Sequence, residues 1–220
     1  MYQWDFSFLW SYRWLFFQGL GVTVGFTVAI VVLGLVAGLV SALANLSRFG
    51  LPRWLALSYI EVFRCTPVLV QLVWFYYALP VLSGIEISAV SASILALSLY
   101  GGSFYSEIIR GGIVSIDPGQ NEAAAALGMT PGQAMRRIIL PQALKRMVPA
   151  LMNQSIIQFK NTSLVSVLAV PDLLYQGQVA AHDSYRPLEV YSAVAVAYFV
   201  LLFPLTAIVR QGEKKLATSD

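Results

Sequence analysis

Apolar residues in this chain come in long runs parted by short polar stretches, a pattern unlike the one-faced stripes of soluble helices or the alternation of strands. A helix needs about 20 consecutive apolar residues to cross a hydrocarbon layer. The runs at 19–46, 55–82, 87–109, 147–170 and 188–209 therefore predict five membrane spans, in an all-α integral membrane protein whose single domain covers 1–220. Ahead of them, residues 1–18 carry Trp4, Phe6, Phe8, Trp10, Trp14, Phe16 and Phe17, an aromatic excess suited to the membrane interface. The start Met1–Asp5 lacks the basic region and small-residue cleavage site of a secretory signal, so the first span is expected to be retained.

The spans differ in what interrupts them. In the first, Gly34 and Gly38 stand in a GxxxG relation that lets another helix approach closely. In the second, Glu61, Arg64, Thr66 and Pro67 break the run; Thr66 as N-cap and Pro67 at the first helical position predict a fresh helix there. Glu61 and Arg64, three residues apart, read as a surface pair or as a gating or partner contact. Cys65 reads as a small buried residue. Gly101 and Gly102 in the third span imply close backbone approach, to a helix or to a solute path, and Glu107 with Arg110 forms another three-apart pair.

The fourth span is the polar one. Asn153, Gln154, Gln158, Lys160 and Asn161 fall within an arc of roughly 160° at 100° per residue, with Ile157 and Leu164 intruding. Lys160 lies about 16 Å along a helix from Pro149, near mid-membrane, where a charge must face protein, water or ligand. Two readings stand: a structural lysine that pairs with a carboxylate such as Glu107 or reaches toward an interface, or a contact for the carboxylate of a solute in transit, which favours acidic or neutral polar solutes over cationic ones. These five residues are the candidate substrate path. After them, residues 171–187 read as a polar outer loop in which Asp172, Asp183, Arg186 and the nearby Glu189 supply charge for receiving a partner.

Composition agrees with a lipid environment: 58% of residues are hydrophobic and 11% charged, against about 25% charged in soluble domains. The net charge of +3 does not imply nucleic acid, because the basic residues form no patch interleaved with exposed aromatics. They report topology instead. With five spans, Arg48, Arg53, Arg110, Arg136, Arg137, Lys145, Arg146, Arg210, Lys214 and Lys215 fall on one side, and Arg13 and Arg186 on the other. The positive-inside rule then places the N-terminus outside and the C-terminus in the cytoplasm. His182, Asp183 and Ser184 are adjacent in sequence, so their side chains diverge rather than form a triad. One histidine and one cysteine offer no metal site or internal disulfide, and no GxxxxGK[ST] loop for nucleotide is present.

One stretch, residues 117–141, is polar enough to face another protein. Asp117-Pro118-Gly119-Gln120 and Thr130-Pro131-Gly132-Gln133 each place a side-chain acceptor at N-cap, Pro next and Gln at N3, predicting two capping boxes. The first short helix, 118–127, should stop at Gly128 in the left-handed conformation, and the second should stop before Pro141. The alanine run 123–126 makes the first helix thin.

The spacing here, Glu122-Ala123-Ala124, three residues, Gly128, nine residues, then Ile138-Ile139-Leu140-Pro141, resembles the cytoplasmic EAA signature of permease subunits of ATP-binding-cassette importers. FRCTPVLVQLVWF at 63–75, YSEIIRGGI at 105–113 and FKNTSLVSVL at 159–168 resemble its polar-amino-acid branch; the family usually has glycine where this chain has Cys65. The resemblance implies the five-span fold of type I importers in the bacterial inner membrane. It implies an ATPase subunit dimer carrying ATP and Mg, with no cofactor on this chain, a second permease copy or homologue, and an extracytoplasmic binding protein delivering an amino acid. Glu122, Ala123, Ala124, Gly128, Ile138, Leu140 and Pro141 are then the ATPase-coupling residues. A secondary transporter is the alternative; it would more often show internal repeats, which are absent here.

Overall fold

The computed structural model describes residues 2–217, with side chains through 212; Met1, residues 218–220 and the side chains of Lys214 and Lys215 lie outside the described residues. All secondary structure among the described residues is helical: α1 (Arg13–Asn45), α2 (Gly50–Cys65), α3 (Val68–Ser83), α4 (Ala89–Val114), α5 (Pro118–Ala126), α6 (Pro131–Ala134), α7 (Leu140–Asn161), α8 (Leu173–Ser184) and α9 (Pro187–Ala217). Short 3-10 turns, Ser7–Tyr12 and Thr162–Leu168, precede α1 and follow α7.

The bundle is built around α4, which packs against α1, α2, α3 and α7. Its Ser, Ala and Gly positions reflect that place, since a helix enclosed by protein needs close approach more than apolar bulk. Gly34 and Gly38 of α1 lie on α4: a Cβ at Gly34 would meet the Ser98 carbonyl at 3.2 Å, and one at Gly38 would meet Tyr105 Cβ at 2.6 Å. The GxxxG pair is thus a packing device, with α1 and α4 running parallel. Gly102 faces α1 and α2, where an added Cβ would lie 2.9 Å from Ala37 and 2.6 Å from the Tyr59 hydroxyl; Gly101 faces α7. Tyr105, fully buried between these helices, shares a hydrogen bond with Ser155 of α7 at 2.9 Å.

Two helices, Ser7–Asn45 counted with its leading turn and Pro187–Gly212, are long and apolar enough to cross a membrane on their own. Two bent pairs add to them, α2 with α3 at 108° and Pro131–Leu168 with α8 at 48°. The first bend follows from Pro67, which forces Thr66 out of the helical region to ψ 138. Thr66 does not cap α3 as expected; its hydroxyl donates back to the Val62 carbonyl, Pro67 takes the N-cap place, and α3 starts at Val68. Gln71 staples the break, its amide donating to the Phe63 carbonyl at 2.9 Å and the Thr66 carbonyl at 3.0 Å, which satisfies acceptors that the end of α2 leaves open.

Other expectations change here. Residues 171–187 are not a loop: Asp172 caps α8 through the Tyr175 amide at 2.9 Å, and α8 lies against α1 and α9. Gly19 of α1 admits it, with Asp172 and Leu173 backbone atoms 2.9 Å from where a Cβ would stand, and Thr23 accepts the Leu173 N–H at 3.0 Å. Cys65 is exposed rather than buried. Glu61 and Arg64 do not pair; Glu61 accepts from the Cys65 thiol, while Arg64 stacks over Phe104 at 5.4 Å. Glu107 and Arg110 do pair, through two hydrogen bonds of 3.0 and 2.9 Å. At the other end, Ser7 donates its amide and hydroxyl to Asp5, which holds that carboxyl below its usual range.

Candidate coupling and translocation site

The polar stretch after α4 folds as two short helices joined by a tight turn. Asp117 starts α5, but its carboxylate accepts from the Gly119 amide at 2.7 Å rather than from N3, so the first expected capping box is absent. Gln120 is instead held by Gln142 of α7 at 3.2 Å. The second box is present: Gln133 N–H donates to the Thr130 hydroxyl at 3.4 Å, and Thr130 N–H donates to the Gln133 side chain at 2.9 Å.

Between them Gly128 sits at φ +75. Its N–H donates to the Ala125 carbonyl at 2.9 Å, and Met129 N–H donates to the Ala124 carbonyl at 3.0 Å. That pair of bonds is a Schellman motif, which closes α5 and redirects the chain into α6. Glu122, Ala123 and Gly128 face outward, whereas Ala124 is fully buried and supports the turn, so it is not available for contact as expected. Leu127 stands 79% exposed beside the turn, a large apolar side chain with no packing role. Sequence reading passed over it because one leucine beside an alanine run carries no periodic signal.

The chain does not stop before Pro141. From α6 it continues through a π-helical turn, Met135–Ile139, into α7, with Pro141 in the first turn of that helix. Leu140 N–H reaches back five residues to the Met135 carbonyl. Widening the turn makes room for a proline ring that an α-helical interior would reject. Leu140 and Pro141 are exposed and Ile138 half-buried. Ile139 joins a cluster with Ala42, Ile109, Ile116, Ala143 and Met147 that seats the element on α1, α4 and α7. Arg146 of α7 donates to the Ser115 carbonyl, tying α7 to the end of α4.

The five candidate path residues on α7 separate into two sets. Gln154 and Gln158 are buried; the Gln158 amide donates to the Leu97 carbonyl of α4 at 2.8 Å, and Asn161 donates to the Gln158 side chain at 3.1 Å. Asn153 and Lys160 lie on the exposed face with Ile157. Lys160 does not pair with Glu107, which is bound by Arg110 and by Asn45 at 3.4 Å. It lines a crevice of about 500 Å³ together with Phe199, Phe203, Thr206 and Arg210 of α9. Arg210 had served only to read topology. Nothing in its local sequence marks it, because it shares a crevice with Lys160 only when α7 and α9 pack. Two cations in a mostly apolar crevice make a place for a carboxylate.

A family model for the binding-protein-dependent transport system inner membrane component matches residues 13–218. The chain is 38% identical over 203 residues to the arginine transport system permease protein ArtQ of Bacillus subtilis (strain 168), covering 92% of this chain and 93% of that one. It is 37% identical over 215 residues to the glutamine transport system permease protein GlnP of Escherichia coli (strain K12), covering 97% and 98%. Among solved structures, it superposes on a chain of an amino acid ABC transporter crystallised with histidines, at TM-score 0.92 and 39% identity, over 97% of this chain and all of that one.

Proposed function

The chain belongs to the family of binding-protein-dependent transport system inner membrane components and is a permease subunit of an amino acid ABC importer; from that premise we propose how it couples, what it carries and what it assembles with. The observation that carries the proposal is the preformed coupling element: α5 and α6, fixed by the Schellman turn and one capping box, present Glu122, Ala123 and Leu127 on a packed platform. Such an element suits a groove on a separate ATPase dimer, which would hold ATP and Mg and perform the hydrolysis that this chain does not. Ala124 contributes from within, and Ile138, Leu140 and Pro141 set the joint to α7.

Two relatives of nearly equal identity are named for different solutes, so solute choice is read from the side chains. Lys160 and Arg210 in one crevice favour an acidic or neutral polar L-amino acid over a cationic one, with Asn153 on the same face of α7. Gln158 holds α7 to α4 and Asn161 holds Gln158 in place, with Gln154 buried beside them, which positions that face. The crevice is open on one side, which supports closure by a second permease copy or a homologue. Five spans with the N-terminus outside remain the reading that charge distribution favours, with α2–α3 and α7 bent within the membrane and α4 enclosed by protein. On the outer side, Asp172 and Glu189 are buried and Arg186 is paired to Glu189 at 3.0 Å, leaving His182, Asp183 and Tyr185 at the end of α8 to receive a binding protein. Affinity purification from membranes tests this assembly. An ATPase bearing a phosphate-binding loop should accompany the chain and be lost on Leu127→Asp; a chain that purifies without one, at normal abundance, sinks the coupling role.

A further inference from the structure

At the end of the molecule opposite the coupling helices, the aromatic N-terminal segment crosses the start of α1 and leaves a crevice of about 530 Å³. Phe6, Trp10, Phe17, Leu173 and Ala197 supply apolar walls from the N-terminal segment, α1, α8 and α9, and among the described residues Arg13 is the only charged one lining it. We propose that this crevice binds one acyl chain of an anionic phospholipid, whose phosphate is held by Arg13. The inference rests on the inner-membrane location and not on the coupling role or the solute.

Three observations carry it. First, the crevice is built rather than left by a loose tail. Glu189, fully buried at the start of α9, accepts from the Tyr2 hydroxyl and from the Asp5 amide at 3.2 Å, and Arg186 donates to the Gln3 carbonyl at 3.5 Å. The N-terminal segment is therefore anchored immediately ahead of Phe6, where the crevice wall begins. Second, Arg13 has a cation's capacity unspent. Its guanidinium gives one hydrogen bond to the Trp10 carbonyl at 2.8 Å and stacks over Trp10 and Trp14 at 4.9 and 5.8 Å, which fixes its direction. Arg13 forms no ion pair among the described residues, and a guanidinium carries five donors in a fork that fits phosphate. Third, the surroundings are those of a membrane boundary: Trp4, Trp10 and Trp14 are exposed beside the crevice, as aromatic side chains are at headgroup level. Apolar walls below and a half-free cation at the mouth match a lipid tail with its phosphate, and a zwitterionic headgroup, whose own ammonium already neutralises its phosphate, would attract the arginine less than an anionic one.

The test uses the full-length chain in the assembly it forms, purified in detergent and titrated with phosphatidylglycerol or phosphatidylcholine of identical acyl chains, with bound lipid counted by native mass spectrometry. The wild type should retain phosphatidylglycerol about fivefold over phosphatidylcholine, the ratio that corresponds to ~1 kcal/mol for one basic side chain at an anionic lipid. Arg13→Gln should bring the ratio to parity, Arg13→Lys should keep most of it, and Ala197→Trp, which fills the crevice, should lower retention of both lipids. A second measurement needs no crevice variant. In a Trp54→Phe, Trp74→Phe background, brominated phosphatidylglycerol present as a minor component of phosphatidylcholine vesicles should quench the remaining Trp4, Trp10 and Trp14 fluorescence more than brominated phosphatidylcholine does. Equal retention of the two lipids by the wild type, or equal quenching by the two probes, overturns the proposal and leaves only ordinary annular lipid.

Discussion

Gly128→Val isolates the backbone requirement of the coupling turn. At φ +75, Gly128 occupies the left-handed region, and an added Cβ would meet nothing within 4 Å. Substitution there creates no clash with neighbours, so its cost is conformational alone: ~1–2 kcal/mol for an ordinary L-residue, and more for a β-branched one. The turn is held by two backbone hydrogen bonds, from Gly128 and Met129, each contributing ~1 kcal/mol net. The strain is therefore comparable to what holds the turn closed. A shift of ~1.4 kcal/mol lowers the equilibrium constant between the closed and open turn about tenfold, enough to loosen the joint between α5 and α6 while leaving the membrane helices untouched. Reconstituted transporter should then lose most solute-stimulated ATP hydrolysis, with basal hydrolysis and membrane abundance retained. Gly128→Asn should stay near wild type, because asparagine enters the left-handed region at small cost. Unchanged stimulation in the valine variant would refute the reasoning, as would asparagine proving as damaging as valine, since that would make size rather than φ the cause.

Three further outcomes follow from the geometry. Gly101→Ala would place a Cβ 1.8 Å from the Gln158 amide nitrogen and break its bond to Leu97, costing ~1–3 kcal/mol for a buried amide left unpaired; the thermal midpoint in detergent should fall by several degrees, and Gln158→Ala should remove most of that penalty in a double-mutant cycle. Lys160→Ala should raise the solute concentration for half-maximal uptake about tenfold for acidic or neutral solutes, as loss of one charge-assisted hydrogen bond of ~1.5 kcal/mol requires, with folding intact; unaltered uptake and selectivity would return Lys160 to a structural role. Leu127→Ala should weaken ATPase association by ~1–2 kcal/mol, read as a rise in the dissociation constant, whereas Leu127→Met should not.

What sequence reveals and what it hides divide along physical lines. Motif spacing with local chemistry survives folding intact: Thr130 with Gln133 makes its box, Gly128 takes φ > 0, and Gly34 with Gly38 meets α4. Expectations failed where one local rule met a competing partner. Asp117 had the residue types for a box, but Gln120 is engaged by Gln142 from α7, which no window around 117 contains. Pro141 reads as a stop until a π turn widens the helix ahead of it. Residues 171–187 look like a loop by polarity, yet Gly19, Gly177 and the Asp172 cap let a helix pack there; a Cβ on Gly177 would lie 2.6 Å from Val194. The wheel that grouped Lys160 with Gln158 was right about angle and incomplete about neighbours: one side of α7 belongs to α4 and the other to an open crevice, a distinction only packing makes.

The central claim is that this chain moves its solute by coupling to a separate ATPase through α5 and α6. Uptake of radiolabelled amino acid into energised cells or vesicles, with ATP depleted while the ion gradient is clamped, tests it most directly. The account predicts that uptake stops with ATP loss, resumes when ATP is restored, and ignores collapse of the gradient at constant ATP. Uptake that persists without ATP and follows the ion gradient would contradict it.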